Sequence, residues 1–352
     1  MTSKETSRPP SREPGVPAQQ DQRSQLRRAL ISMVIPLFFA MGFTLCFISA
    51  LQSPAPHGVN VAIAGPAAQT APLRAGLALG VGPAFDVSAV PTAAAAAREV
   101  RNQDLYGAYV PAAPGKPVAT VIVSSASGVT VANMVETLFR AVAAKQGTHL
   151  AVLDVRPLPA GDRSGESLFF FLIGCSVAGF LTVMATGAVA PALRPRYRWP
   201  LILAAAVAIP ILAYLLVGLG LGAISGSAGA IVALLGMSAL YMLIVVMIAR
   251  GLQVILGPAA ELAFFAIFVM LDFPSADGAI SPVLLPTFWH VLNRFWIGRA
   301  AFPAFRSIIY FGGQGVGTDA LKLLAWLGVG VVLLALPIWR KIGPGRGRHA
   351  SA

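Results

Sequence analysis

The sequence predicts a polytopic α-helical membrane protein with six transmembrane helices and an extracytoplasmic α/β domain between helices 1 and 2. Three observations carry this. The chain is 56% hydrophobic and only 11% charged, whereas a soluble domain is about a quarter charged. Apolar runs of about 20 residues, enough to cross a bilayer, occur at 29–51, 167–190, 200–222, 228–249, 252–271 and 321–339. Between the first two runs lie residues 52–166, which pattern like an ordinary soluble domain.

The tail 1–28 is rich in Pro, Ser, Gln and charge. It lacks the apolar content for a core and is expected to be disordered and cytoplasmic. The run 29–51 follows Arg23, Arg27 and Arg28, as a signal peptide would. It is longer than a signal core of about 7–15 residues, so it reads as a retained anchor. The two cysteines, Cys46 and Cys175, each fall inside a span. Neither a disulfide framework nor a metal-type spacing exists, and both thiols are expected to be buried as small apolar groups.

The segment 52–166 alternates strand and helix patterns. VNVAIAG (59–65) reads as a strand, followed by the weakly amphipathic APLRAGLALGVG. AFDVSAV (84–90) alternates like a half-buried strand. Thr92 is placed to cap the helix AAAAAREVRNQ. YGAYV and VATVIVSSA are strands joined by the loop PAAPGKP. Val131, Val135, Leu138 and Val142 recur at helical spacing, and HLAVLDVRPL is a last strand leading to the second span. Strand–helix alternation of this kind implies a small α/β domain packed near the membrane.

Lys and Arg in short loops fix orientation. Lys4, Arg8, Arg12, Arg23, Arg27 and Arg28 lie in the N-terminal tail. Arg194, Arg196 and Arg198 lie between spans two and three, and Arg250 between spans four and five. Arg340, Lys341, Arg346 and Arg348 follow the last span. Six crossings put all of these on one side, so both termini are expected in the cytoplasm and 52–166 outside, in the cell membrane. The net charge of +12 then reflects orientation rather than nucleic-acid binding.

Residues 272–320 are too interrupted by Pro and charge to cross, yet they hold Phe288, Trp289, Phe295, Trp296, Phe302, Phe305, Tyr310 and Phe311. The aromatic excess favours short amphipathic helices on the outer leaflet. The alternative is a lid packed over the other spans.

Few motifs carry chemistry. No G-x-x-x-x-G-K-[ST] is present, so any ATP is bound by another chain. GLGLG (218–222) lies in span three, where Gly218 and Gly222 form a small-xxx-small face for helix packing. His149 and Asp154 are five apart on a strand and point to opposite faces. No hydrolase, metal or cofactor pattern appears, and the chain is not expected to be an enzyme. Glu261 is an acid within span five, a candidate for a substrate path or a proton carrier; the plainer reading is a Glu facing polar groups between helices. Arg306, with Arg299 and Trp289, is a candidate contact to a lipid or substrate headgroup, or an interfacial anchor. Arg194, Arg196 and Arg198 alternate with Pro195 and Tyr197 as in an extended turn, aimed at cytoplasmic lipid or at an ATPase.

The order of one span, an outer α/β domain, five more spans and a proline- and arginine-bearing outer loop before the last resembles the ABC-2 type permease group, in the branch with a large extracytoplasmic insert (YhgE/Pip-like and DUF3533-like actinobacterial membrane proteins). The stretches that carry it are PAPHGVNVAIAG (54–65), YGAYVP (106–111), DVRPLPAGDRSG (154–165), LLPTFWHVLNRF (284–295) and FRSIIYFGG (305–313). Asp277-Gly278 stands where such proteins often have Gly-Gly, and the loop 191–199 leaves little room for a coupling helix. The resemblance implies a homodimeric permease subunit in the bilayer, with a possible separate ATPase, exporting or translocating an amphipathic or lipid-like substrate. Other readings are a proton-driven exporter using Glu261 and a non-transporting protein of envelope assembly.

Overall fold

The computed structural model describes residues 19–113 and 118–342. The first 18 residues, part of the PAAPGKP loop, and Arg346 and Arg348 lie outside them. Helix α1 (Gln19–Ser32) turns at Met33 into α2 (Val34–Leu51). Residues 19–28, expected to be disordered, are therefore helical, because Gln, Arg and Leu are good helix formers extending an apolar helix. Among the described residues, five helices are long and apolar enough to cross a membrane: Ser24–Leu51, Ser167–Val189, Pro195–Gly220, Ala228–Ser275 and Val316–Pro337. The protein is a mostly helical, multi-pass membrane protein.

After α2 the chain builds the α/β unit: β1 (Val59–Ala64), α3 (Ala67–Val81), β2 (Phe85–Val90), α4 (Ala93–Arg101), β3 (Gly107–Val110), β4 (Val118–Val123), α5 (Val129–Lys145) and β5 (His149–Asp154). The sheet order is β2-β1-β3-β4-β5, parallel except for the β3–β4 pair. Thr92 caps α4 by accepting from the Ala95 N–H at 3.1 Å. Side chains alternate along β1. Ala62 and Ala64 face α4, while Val59, Val61 and Ile63 face α5 and α3. Gly107 admits α5 closely, since a Cβ there would lie 2.6 Å from Val135 Cγ1.

The buried stripe of α5 is Val131, Ala132, Val135, Phe139 and Ala143. Leu138 and Val142, expected in the core, are half-buried beside α3. The step from Val135 to Phe139 also satisfies the helical period, and Phe139 buries more area while stacking on Tyr109 at 5.1 Å.

The bundle follows: α6 (Ser167–Val189), α7 (Pro195–Tyr214, continuing in a wider turn to Gly220), α8 (Ala228–Leu256), α9 (Ala260–Phe265, continuing to Met270) and α10 (Asp272–Ser275). Gly257, at φ +58, breaks the long stretch between α8 and α9. Then come α11 (Thr287–Asn293), α12 (Ile297–Tyr310) and α13 (Val316–Ile342). Helix α8 lies centrally against α6, α7, α12 and α13. Small residues allow the closest crossings: a Cβ on Gly251 would lie 2.6 Å from Leu333, and one on Gly179 would lie 2.9 Å from Val245.

Residues 272–320 do not lie flat on a leaflet. Helix α12 buries Ile297, Ala301, Phe302, Phe305 and Ile308 in the bundle core. Phe305 packs edge-on to Phe171 and Tyr241. Its strongly one-sided apolar face found helices α6, α8 and α13 instead of lipid. Phe288 and Phe295 remain exposed.

Candidate functional site

A buried polar cluster lies where the α/β unit meets α12. Arg306 donates through Nη2 to Asp277 Oδ2 at 2.7 Å and through Nη1 to the Ser127 carbonyl at 3.3 Å. Ser127 precedes α5, so one guanidinium joins α12, the segment after α10 and the α/β unit. Asp277 has φ +70, a left-handed conformation that Asp tolerates better than most residues. The next residue, Gly278, lies against the Phe169 ring of α6, with no room for a Cβ. Burial pushes the Asp277 carboxyl above its ordinary range, against the opposing pull of Arg306 and Arg299. Burial likewise raises Tyr106 nearby.

Asp277 Oδ1 and Arg299 Nη1 are both buried with no hydrogen-bond partner. Two cavities adjoin them. One, of about 160 Å³, is lined by Gln103, Tyr106, Ser127, Asp277, Arg299 and Arg306 among others. The second, of about 270 Å³, shares Gln103, Arg299 and Arg306 and extends to Asn102, Gln314 and Asp319.

Asp162 ties the return segment to the bundle. Its carboxylate accepts from the Glu166 N–H at 3.1 Å and the Ser167 N–H at 3.2 Å, filling the capping role at the start of α6. Tyr310 Oη donates to it at 3.3 Å. Burial, followed by the Asp162 charge, raises the Tyr310 hydroxyl well above its usual range. Gly161 meets the Gly222 carbonyl so closely that a Cβ would not fit.

A second polar set lies within the bundle. Asp272 is fully buried, accepting from Tyr241 Oη at 2.8 Å and from the Gly298 N–H at 2.6 Å. Asn293 Nδ2 donates to the Ser275 carbonyl at 2.6 Å, fixing α11 to α10.

The residues singled out from sequence fall in different places. Arg306 and Arg299 come together at the cleft, but Arg306 is bound to Asp277 rather than free for a headgroup. Trp289 is 3% exposed and donates to Ser49 Oγ of α2 at 3.2 Å, so it is a core residue and not a headgroup contact. Glu261 lies within the apolar stretch Ala228–Ser275 but is not enclosed by it. It sits in the first turn of α9, just after the Gly257 break, half-buried. Arg194, Arg196 and Arg198 form no extended turn, because α7 already begins at Pro195, a favoured first helical residue. Arg198 is buried and donates to the Ala190 and Pro191 carbonyls at 3.0 Å, closing the end of α6. Arg194 and Arg196 are exposed, and Arg196 stacks over Tyr197. Gly218 accommodates the Tyr214 ring of its own helix, and Gly222 is a turn residue at φ +65, so the pair is not an interhelical packing face.

Asp162, Asp272, Ser127 and Gln103 were not singled out as site residues by sequence, and Asp277 was noted only as a departure from a Gly-Gly pair and Tyr310 only among the aromatics of 272–320. The one available signal was that Asp272 and Asp277 flank a proline and follow an apolar run. No family model, curated protein or solved structure matches the chain.

Proposed function

We propose that the protein is a permease subunit of the ABC-2 type, moving an amphipathic or lipid-like substrate across the cell membrane. In this reading the break at Gly257 divides Ala228–Ser275 into two crossings, making six. Both termini then lie in the cytoplasm and the α/β unit outside. The observation that carries the reading is the polar cleft at Arg299, Arg306 and Asp277, beside a bundle whose helix α12 is deeply apolar. A site with charged groups over an apolar body suits a molecule with a polar head and a greasy body.

The chain is proposed to act as a homodimer, with ATP bound by a separate subunit. The connection 190–194 between α6 and α7 holds no docking helix; it and the first turn of α7 offer such a partner the exposed Arg194 and Arg196. The test is purification of the native complex and its reconstitution in vesicles carrying a fluorescent phospholipid analogue. An ATPase subunit and an ATP-dependent change in the dithionite-accessible fraction are expected. A complex with no ATPase that leaves the analogue in place overturns the reading and favours a role in envelope assembly.

One observation supports a second reading. Asp272, not Glu261, is the acid buried within the bundle, so a proton-driven exporter would use Asp272. That reading requires movement of the analogue under an imposed pH gradient, lost in Asp272→Asn.

A further inference from the structure

We propose that the cleft between the α/β unit and α12 binds a phosphate-ester headgroup, with Arg299 and Arg306 as its phosphate-binding pair. The proposal rests on the permease reading only in naming the polar end of the substrate; binding itself requires no transport.

The two arginines lie about two turns apart on α12, hence on one face of it. They are the basic side chains common to both cavities. The acids that face them are Asp277, ion-paired to Arg306, and Asp319, which is paired with Lys322 at 3.0 Å. Asp277 offsets one of the two guanidinium charges, and Lys322 offsets Asp319. A positive charge therefore remains at Arg299, and one of its nitrogens is buried without an acceptor. Leaving a buried charged donor unpaired is costly. An anion with several acceptor oxygens satisfies it, and the planar guanidinium fork matches phosphate.

The rest of the lining sets the kind of anion. Asn102, Gln103 and Gln314 bring neutral amides to the larger cavity. These hydrogen-bond to ester oxygens or hydroxyls but add no charge. Cavities of about 160 and 270 Å³ fall below the roughly 300–1,000 Å³ that encloses a drug-sized ligand. They accommodate a headgroup rather than a whole lipid. Asp319 lies in the first turn of α13, so the cleft opens at the end of a membrane-crossing helix, level with headgroups. A phospholipid headgroup and a soluble phosphate ester share this chemistry.

The experiment titrates the full chain in detergent with dihexanoylphosphatidylglycerol, dihexanoylphosphatidylcholine and free glycerol 1-phosphate, reading binding by calorimetry. Saturable binding of the phosphatidylglycerol is expected, weakened about tenfold or more by Arg299→Gln. Arg299→Lys should retain part of it. Arg299 makes no ion pair among the described residues, so the glutamine variant should fold, checked by an unchanged unfolding temperature. Glycerol phosphate bound as tightly as the lipid identifies a soluble ester as the source; much weaker binding identifies the lipid. Equal binding by wild type and Arg299→Gln overturns the site; phosphatidylcholine bound as tightly as phosphatidylglycerol, with the same dependence on Arg299, supports a site that reads the phosphate alone. Absence of transport by the wild type, with this binding intact, counts against the permease reading alone.

Discussion

Arg306 of α12 reaches Asp277 at 2.7 Å across the boundary between that helix and the segment that follows α10. Asp277 is 5% exposed, so the pair is largely desolvated. Removing one partner of such a pair leaves the other buried and uncompensated, at a cost of about 3–5 kcal/mol. Arg306→Gln should therefore destabilise the junction strongly. Asp277→Asn should cost less, because burial already disfavours the carboxylate. The double variant should recover part of the Arg306→Gln loss. Thermal unfolding of the purified chain checks this; additive losses would show that the two side chains are not coupled.

The same carboxyl gives a pH dependence with a definite sign. Its folded pKa is raised above the unfolded value of about 3.9. The folded state then binds more protons in the window above that value. The contribution is complete below the unfolded pKa and is lost as pH rises through the folded one. Wild type should gain stability relative to Asp277→Asn on acidification from neutral pH toward about 4. The difference in unfolding temperature between the two proteins, followed across that range, measures it. A flat difference would mean that Arg306 cancels the burial effect.

At the two ends of α6 the caps come from opposite charges. Asp162 receives two N–H groups at its start, and Arg198 donates to two carbonyls at its end. This polarity also complements the helix dipole. Asp162→Ala should cost about 1–2 kcal/mol and strand the Tyr310 hydroxyl. Arg198→Gln should lower the unfolding temperature, while Arg194→Gln with Arg196→Gln should not. If the double surface change destabilises as much as Arg198→Gln, the capping assignment fails.

The α/β unit was legible in the sequence because its strands and helices are short, periodic and bounded by turn residues. Each expected strand forms, though VATVIVSSA is strand only over Val118–Val123 and HLAVLDVRPL only over His149–Asp154, and the Thr92 cap forms as well. The α5 register was less so, since Leu138 and Phe139 both satisfy a helical period. Pairing decides between them: Phe139 stacks on Tyr109, and Leu138 borders the groove along α3. Phe139→Ala should thus cost about 3–5 kcal/mol, more than Leu138→Ala. The cleft was half legible. Arg299 and Arg306 stood out as charges among aromatics, but the partners of Arg306, Asp277 and the docked Ser127, depend on a tertiary contact that no local pattern encodes. The same holds for Arg198, whose role as a cap depends on where α7 begins.

Two acids in the same helical stretch differ in their surroundings. Glu261 drew attention as a charge inside an apolar run, but it follows the Gly257 break and is half-buried in a first turn, where a negative side chain is favoured. Asp272 is enclosed, its two oxygens held by Tyr241 Oη and the Gly298 N–H. Gly298 admits it because a Cβ there would lie 2.6 Å from Asp272 Oδ1. Glu261→Gln should leave folding unchanged. Asp272→Ala should strand two buried donors, at about 1–3 kcal/mol each, and Gly298→Ala should be destabilising through the clash. Asp272→Asn keeps an acceptor for one donor and should fall between wild type and Asp272→Ala. Monodisperse yield and unfolding temperature in detergent rank the four variants. If Glu261→Gln proves more damaging than Asp272→Ala, the α8–α10 arrangement described here is wrong; if Asp272→Asn keeps wild-type stability but abolishes pH-driven movement of a lipid analogue, Asp272 carries a proton as well as joining α8 to α12.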